Sequence, residues 1–97
     1  MRERYVEQQL VKAVKKRGGI CAKWVSPGLD GVPDRIVLLP EGRIGFIELK
    51  APGERPRPLQ IARMEQMKRL GYKCFVCDRV ELIDGILDEI QKGDAGL

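Results

Sequence analysis

The stretch from Gly28 to Lys50 limits what this chain can fold into more than any other. An apolar run at residues 36–39 is followed by the turn Pro40-Glu41-Gly42 and by a second apolar run that ends at residues 47–50. Two apolar runs joined by a proline- and glycine-containing turn predict a β-hairpin. This hairpin should form the centre of the fold.

Charged residues lie at one end of the predicted hairpin. Asp34 precedes its first strand, and Glu48 and Lys50 close its second. Alternate side chains of a strand share a face, so Phe46, Glu48 and Lys50 should point the same way. Burying ions is costly unless they are paired or bind a metal. Acidic oxygens beside a lysine favour a hard cation such as Mg²⁺ that bridges to phosphate.

These residues carry a resemblance to a known superfamily. Pro33-Asp34 followed by Glu-Leu-Lys at 48–50 resembles the PD-(D/E)XK nuclease signature. The longer motif Gly-Val-Pro-Asp-Arg at 31–35, together with Gln60, resembles more narrowly the VRR-NUC family. The resemblance extends over residues 7–76.

The resemblance implies a divalent metal site for Mg²⁺ or Mn²⁺. Asp34 and Glu48 would be ligands, and Glu7 would be a direct or water-mediated ligand. The backbone carbonyl of Leu49 is a further candidate ligand. Metal-bound water is more acidic than free water and becomes a nucleophile near neutral pH.

Lys50 and Gln60 complete the implied catalytic set. Lys50 would orient the water or offset negative charge on the phosphate in the transition state. Gln60 lies in the first turn of a predicted helix, and on spacing alone it is a surface residue. The resemblance implies a supporting role for Gln60, either orienting a water or contacting a phosphate.

The pattern around Glu7 can be interpreted in two ways. Residues 4–17 are predicted to form a helix, and Glu7 lies on or beside its apolar stripe with Leu10 and Val14. On pattern alone, Glu7 is a boundary residue that reaches water, whereas the resemblance assigns it to the acidic site. Glu3, one turn earlier, is expected near the frayed helix end.

The chain carries 18 Lys and Arg against 14 Asp and Glu, a net charge of +4. This is a mild preference for polyanions, and solvated helix and loop charges explain it equally well. The candidate nucleic-acid contacts are Lys12, Lys16, Arg35, Arg55 and Arg57.

The composition excludes several kinds of chemistry. The chain has no histidine, which excludes histidine-based triads, histidine general bases and histidine-containing zinc sites. Cys74 and Cys77 form a C-x-x-C pattern, but residues three apart on a strand face opposite sides, so their thiols should not converge. We expect these two residues and Cys21 to be small buried hydrophobic residues.

The 97 residues are expected to form one VRR-NUC nuclease domain, 1–97, with one modest core. No apolar run approaches the roughly 20 residues that span a bilayer. The amino-terminal residues do not have the pattern of a signal peptide. We therefore expect a cytoplasmic location, in the host cytoplasm if the chain is viral.

The predicted order of elements is helix, strand, strand, strand, helix, strand, helix, an α/β fold with helices on the faces of the sheet. The resemblance implies the restriction-endonuclease-like αβββαβ core, with a central mixed sheet and an added carboxyl-terminal helix.

Local details of these elements are also predicted. Trp24 is expected to be a packing residue, with base stacking as the alternative. Asp78 and Glu81 predict a capping box for the last helix, and the tail at 92–97 is expected to be frayed. The inward side of the helix at 58–70 is expected to comprise Leu59, Ala62, Met67 and Leu70.

The leading hypothesis is a metal-dependent endonuclease that cleaves DNA, selective for branched DNA such as four-way junctions and acting as a homodimer. Symmetric dimers suit a junction that is itself nearly two-fold symmetric. A first alternative is a nucleic-acid-binding module of the same fold without catalysis. A second is a structural α/β protein in which Glu48 and Lys50 form only a salt bridge.

Overall fold

The hairpin forms the centre of a mixed sheet in the computed structural model, which describes residues 2–93. Within these residues the sheet has four strands in the order β1-β2-β3-β4. The pairs β1–β2 and β2–β3 are antiparallel, and β3–β4 is parallel. The strands are β1 (Ile20–Lys23), β2 (Arg35–Leu39), β3 (Arg43–Leu49) and β4 (Cys74–Cys77).

Helices cover both faces of this sheet, which confirms the predicted α/β class, the mixed sheet and the order of elements. A helix between β3 and β4 makes the crossover that two parallel neighbours require. The helices are α1 (Glu3–Lys16), α2 (Pro58–Arg69) and α3 (Ile83–Gln91). The tail prediction falls largely on residues 94–97, which lie outside the described residues.

One face of the sheet packs against α1 and α3. The α1 stripe Val6, Leu10 and Val14 is fully buried, as its helical spacing predicts. The strand residues in this core are Val37, Leu39, Ile47, Leu49 and Cys77, and α3 contributes Ile83, Ile86, Leu87 and Ile90. This is the larger of the two cores.

The opposite face packs against α2 through a smaller core. Met64, Met67 and Cys74 are buried there, and Trp24 and Phe46 pack against them. The ring centroids of Trp24 and Phe46 are 5.2 Å apart. Trp24 is therefore a packing residue, as expected.

Strand alternation divides β3 between the two cores. Ile47 and Leu49 face α1 and α3, whereas Phe46 and Glu48 face α2. The same alternation places Cys74 and Cys77 in different cores, which confirms that their thiols do not converge. The face that carries Glu48 is thus the α2 face.

The predicted inward side of α2 was partly wrong. Leu59 and Leu70 are 51% and 71% exposed, and Ala62 is exposed as well, whereas Met64 and Met67 are buried. The small α2 core covers only the middle of the helix, so apolar residues at its two ends remain in water.

The predicted capping box was also wrong. Asp78 Oδ2 accepts a hydrogen bond from the N–H of Gly53 at 3.1 Å. A short 3₁₀ turn, Val80–Leu82, precedes α3 and has no side-chain cap hydrogen bond among the described residues. Asp78 therefore holds the proline-rich loop after β3 instead of capping a helix.

The helices within residues 2–93 are all too short, or too polar, to cross a lipid bilayer.

Candidate active site

Asp34 is fixed at the end of the sheet where the charged residues of the hairpin meet. Its carboxylate Oδ2 accepts a hydrogen bond from the backbone N–H of Leu49 at 2.9 Å. Its backbone carbonyl accepts one from the N–H of Trp24 at 2.8 Å. Asp34 thus joins the end of β1 to the end of β3, beside Glu48.

The loop that carries Asp34 is held against α2. Gly31 has φ +80°, and a Cβ placed on it would lie 2.9 Å from the carbonyl oxygen of Leu59. The Arg63 guanidinium donates from Nε to the carbonyl of Asp30 at 2.8 Å. Glycine is required at position 31 by both its conformation and this close approach.

Glu48 is a buried carboxylate whose two oxygens differ. The side chain is 1% exposed, and Oε2 accepts from Gln60 Nε2 at 2.7 Å and faces Lys50 Nζ at 3.2 Å. Oε1 is buried and has no hydrogen-bond partner in the described part of the chain. Burial raises the pKa of Glu48, as does Asp34, while Lys50 lowers it.

Gln60 connects the start of α2 to Glu48. Gln60 Oε1 accepts from the backbone N–H of Arg57 at 2.8 Å, so its amide group has a defined orientation. Its NH₂ group then faces the carboxylate of Glu48. The structure therefore gives Gln60 a protein partner, Glu48, where the resemblance implied a water or a phosphate.

The structure places Glu7 in an ion pair with Arg35. Glu7 Oε2 accepts from Arg35 Nη2 at 2.9 Å and from Nε at 3.2 Å. Arg35 also donates from Nη1 to the carbonyl of Cys21 at 3.0 Å and is 9% exposed. Because its guanidinium is buried and occupied, Arg35 does not fit the predicted role of a nucleic-acid contact. For the same reason, Glu7 Oε2 is already occupied.

Glu3 lies closer to the acidic residues than the sequence indicated. Glu3 and Asp34 line the same cavity of about 250 Å³, which Lys23, Trp24 and Glu7 also border. Burial raises the pKa of Glu3, and the negative charges of Asp34 and Glu54 raise it further.

Sequence reasoning placed Glu3 at a frayed end and did not consider Glu54. Helical spacing alone could have drawn attention to Glu3, since residues four apart share a helix face and Glu3 lies four before Glu7. No comparable local signal points to Glu54.

Comparison with known proteins identifies the family. The model of the VRR-NUC domain matches residues 2–81, which include every site residue described above. The chain belongs to the VRR-NUC domain family. Its sequence relatives include "Putative nuclease p44" of Acyrthosiphon pisum secondary endosymbiont phage 1, 49% identical over 82 residues, which are 84% of this chain and 88% of that protein.

A solved structure of a VRR-NUC domain has the same fold. It superimposes with a TM-score of 0.82 at 29% identity, over 89% of this chain and 94% of the other. The family, the mixed sheet and the phage relative agree with the resemblance predicted from the motif.

This VRR-NUC domain presents several exposed cations on α1 and on the loop before α2. Lys12 and Lys16 on α1 are exposed, as are Arg55 and Arg57 in the loop before α2. Arg55 also lines a groove between α2 and β4 with Ile61 and other residues. These four side chains remain candidates for phosphate contact, which stays a prediction.

The carboxylates of this VRR-NUC domain fit a hard divalent cation. The unpartnered Glu48 Oε1 is an oxygen that lacks a donor or a cation, and Asp34 lies close enough to raise the pKa of Glu48. Across residues 2–93, however, no three cysteine, aspartate or glutamate side chains converge closely enough to hold a metal by themselves. Mg²⁺ commonly takes one or two carboxylates and completes its shell with waters and phosphate oxygens.

Proposed function

We propose that this VRR-NUC chain is a Mg²⁺- or Mn²⁺-dependent endonuclease that hydrolyses phosphodiester bonds in DNA. The observation that carries the proposal is the unpartnered, buried Glu48 Oε1 beside Asp34 and Lys50. A buried polar atom without a hydrogen-bond partner is costly, so the retention of this oxygen points to a ligand that completes it. Membership of the VRR-NUC family and the name of the phage relative support the reaction class.

The proposed reaction is attack of water on phosphorus in line with the leaving oxygen, which breaks one P–O bond. Asp34 and Glu48 would hold the metal, with the Leu49 carbonyl as a further ligand. When bound, the metal supplies Lewis-acid polarisation of a phosphoryl oxygen and makes a coordinated water more acidic.

The remaining residues act on geometry and charge. The Lys50 ammonium, 3.2 Å from Glu48 Oε2, is placed to orient the water or to offset charge that develops on the phosphate. Gln60 holds the Glu48 carboxylate in one orientation from the first turn of α2. The exposed Lys12, Lys16, Arg55 and Arg57 would contact flanking phosphates.

Within this proposal the preferred substrate is branched DNA such as a four-way junction, cut by a homodimer. Two sites related by a two-fold axis would match a nearly symmetric junction. The proposed place of action is the cytoplasm, in the host cell if the chain is viral.

The proposal is tested by cleavage assays on linear, flap and four-way DNA in Mg²⁺ and in Mn²⁺, with Glu48→Ala in parallel. The expected result is metal-dependent cleavage, strongest on branched DNA, that Glu48→Ala abolishes while keeping its fold by circular dichroism. Metal-independent binding of branched DNA without any nicking would instead identify a silent binding module. A monomer by light scattering that still cleaves junctions fully would contradict the dimer.

A further inference from the structure

One buried guanidinium joins three elements of the fold next to the site. Arg35 on β2 donates twice to Glu7 Oε2 on α1, at 2.9 and 3.2 Å, and once to the carbonyl of Cys21 on β1, at 3.0 Å. Arginine suits such a hydrogen-bonded cluster because its planar guanidinium presents several donors in fixed directions. Arg35 directly follows Asp34, so this hydrogen-bonded cluster lies one residue from the site.

The position of the first turn of α1 depends on this hydrogen-bonded cluster around Arg35. Among the described residues, Arg2 precedes the helix without making a side-chain cap hydrogen bond. Besides the hydrogen bonds that the Arg2 carbonyl accepts from Tyr5 and Val6, the burial of Val6 and the contact of Glu7 with Arg35 tie this end of the helix to the sheet. Glu3 and Glu7 lie one turn apart on the same face, so holding Glu7 also sets the direction of Glu3.

We propose that Arg35 and Glu7 are positioning residues, which hold the first turn of α1 so that Glu3 supplies the α1 carboxylate of the site. Glu3 faces the cavity that it shares with Asp34. Glu7 borders that cavity too, but its Oε2 is occupied by Arg35. This inference rests on the proposed nuclease function and assigns separate roles to two glutamates of the same helix.

Electrostatics agree with this assignment. Burial raises the pKa of Glu3 most, the charges of Asp34 and Glu54 raise it further, and Lys50 lowers it. Glu3 in turn raises the pKa of Glu48. Glu3 is thus coupled to both acidic residues of the site and to its lysine.

Comparing Glu7→Gln with Glu7→Ala separates the positioning role from the metal-ligand role. Glutamine keeps an acceptor oxygen for Arg35 but cannot act as an anionic metal ligand, whereas alanine removes both. Glu3→Gln removes only the charge at the other position. Arg35→Lys removes the fork and cannot reach Glu7 and Cys21 together, and Glu89→Gln on α3 is a charge-loss control.

The readouts are kcat at saturating Mn²⁺, the Mn²⁺ concentration that gives half-maximal rate, and Mn²⁺ binding by isothermal titration without DNA. We expect Glu7→Gln to keep most of the kcat and of the Mn²⁺ affinity. Glu7→Ala and Arg35→Lys should each lower either kcat or Mn²⁺ affinity by about 10- to 100-fold. Glu3→Gln should lose Mn²⁺ affinity with no loss of melting temperature.

Two results would overturn the inference. Equal losses for Glu7→Gln and Glu7→Ala, with Glu3→Gln unaffected, would make Glu7 the α1 metal ligand. Wild-type behaviour of Glu7→Ala and Arg35→Lys would show that the pair positions nothing. In both cases the wild type still binds Mn²⁺ and cleaves while Glu48→Ala does not, whereas failure of the nuclease proposal itself removes those two properties from the wild type.

Discussion

Gln60 donates from Nε2 to Glu48 Oε2 at 2.7 Å while its own Oε1 accepts the N–H of Arg57 at 2.8 Å. Reversing the amide would place an NH₂ group against the N–H of Arg57 and a carbonyl oxygen against the carboxylate. Both contacts would be repulsive, so the orientation is fixed from two sides. The start of α2 is in this way connected to the candidate metal site.

This relationship predicts the effect of changing Gln60. Gln60→Leu should fold but let the Glu48 carboxylate turn, which lowers kcat or metal affinity by about 10- to 100-fold, as is usual for residues that orient metal ligands. Gln60→Glu should be at least as harmful, because it places a second carboxylate against Glu48. Steady-state cleavage kinetics at varied Mn²⁺ measure both effects.

Gln9→Leu on α1 is the matched control and should retain the wild-type rate, because the side chain of Gln9 makes no hydrogen bond among the described residues. Wild-type kinetics for Gln60→Leu would show that Gln60 does not orient Glu48.

Replacing Glu48 with glutamine should stabilise the metal-free protein in a pH-dependent way. Burial raises the pKa of Glu48 above its ordinary value of 4.5, so the folded state holds this proton more tightly than the unfolded state. The contribution of Glu48 to stability is therefore fully present below about pH 4.5 and is lost as pH rises through the raised pKa. Glutamine does not titrate.

The advantage of Glu48→Gln in free energy of unfolding should thus grow as pH rises above about 4.5. Urea denaturation in a chelating buffer across this range measures it. A difference that does not change with pH would contradict the prediction. Added Mg²⁺ should raise the melting temperature of the wild type but not of Glu48→Gln, because only a ligand of the folded state stabilises it.

Removing the guanidinium of Arg35 should destabilise the fold. Arg35→Met leaves Glu7 and the carbonyl of Cys21 without their donors, and we expect a loss of about 1–3 kcal/mol in free energy of unfolding. This loss should be smaller than the loss on breaking a fully buried ion pair, because the Glu7 side chain is 29% exposed. Denaturant unfolding measures it.

A double-mutant cycle with Glu7→Ala isolates the pair. Residues in direct contact should couple by about 0.5 kcal/mol or more. Additive losses would show that the two side chains contribute independently.

Two glycines of the loop before β2 should respond differently to alanine. Gly31→Ala is strained at φ +80° and brings a Cβ to 2.9 Å from the Leu59 carbonyl oxygen. We expect a loss of about 1–3 kcal/mol in stability, and lower activity because the Asp34 loop would move from α2. Gly28→Ala is the control, since no described atom lies within 4 Å of its added Cβ. Equal melting temperatures for the two variants would contradict this account.

Periodicity predicted the elements of this fold because it is a local property. The hairpin, the stripe of α1 and the opposite orientation of Cys74 and Cys77 depend on alternation within one segment, and all were confirmed. The extent of the core on α2 depends on how much of the helix the sheet covers. Helical periodicity alone therefore predicted that Leu59 and Leu70 are buried, whereas both are exposed in the structure.

Pairings between distant residues explain what the sequence could not predict at the site. Glu7 and Arg35 are separated by 28 positions, and no motif links them, so each was assigned a functional contact of its own. Asp78 has the spacing of a helix cap, but the N–H of Gly53 occupies it. The motif residues Asp34, Glu48 and Lys50 do lie together, whereas their roles in catalysis stay predictions.

The helix farthest along the chain has a consequence for any attempt to trim this protein. α3 supplies four buried residues of the larger core, and Arg17 at the end of α1 is paired with its Asp88 at 2.9 Å. A fragment that stops after β4 would expose the apolar residues on that face of the sheet to solvent. It would also remove packing and an ion pair that hold α1 in place. A minimal domain cut from this fold must therefore keep α3, although α3 supplies none of the candidate active-site residues.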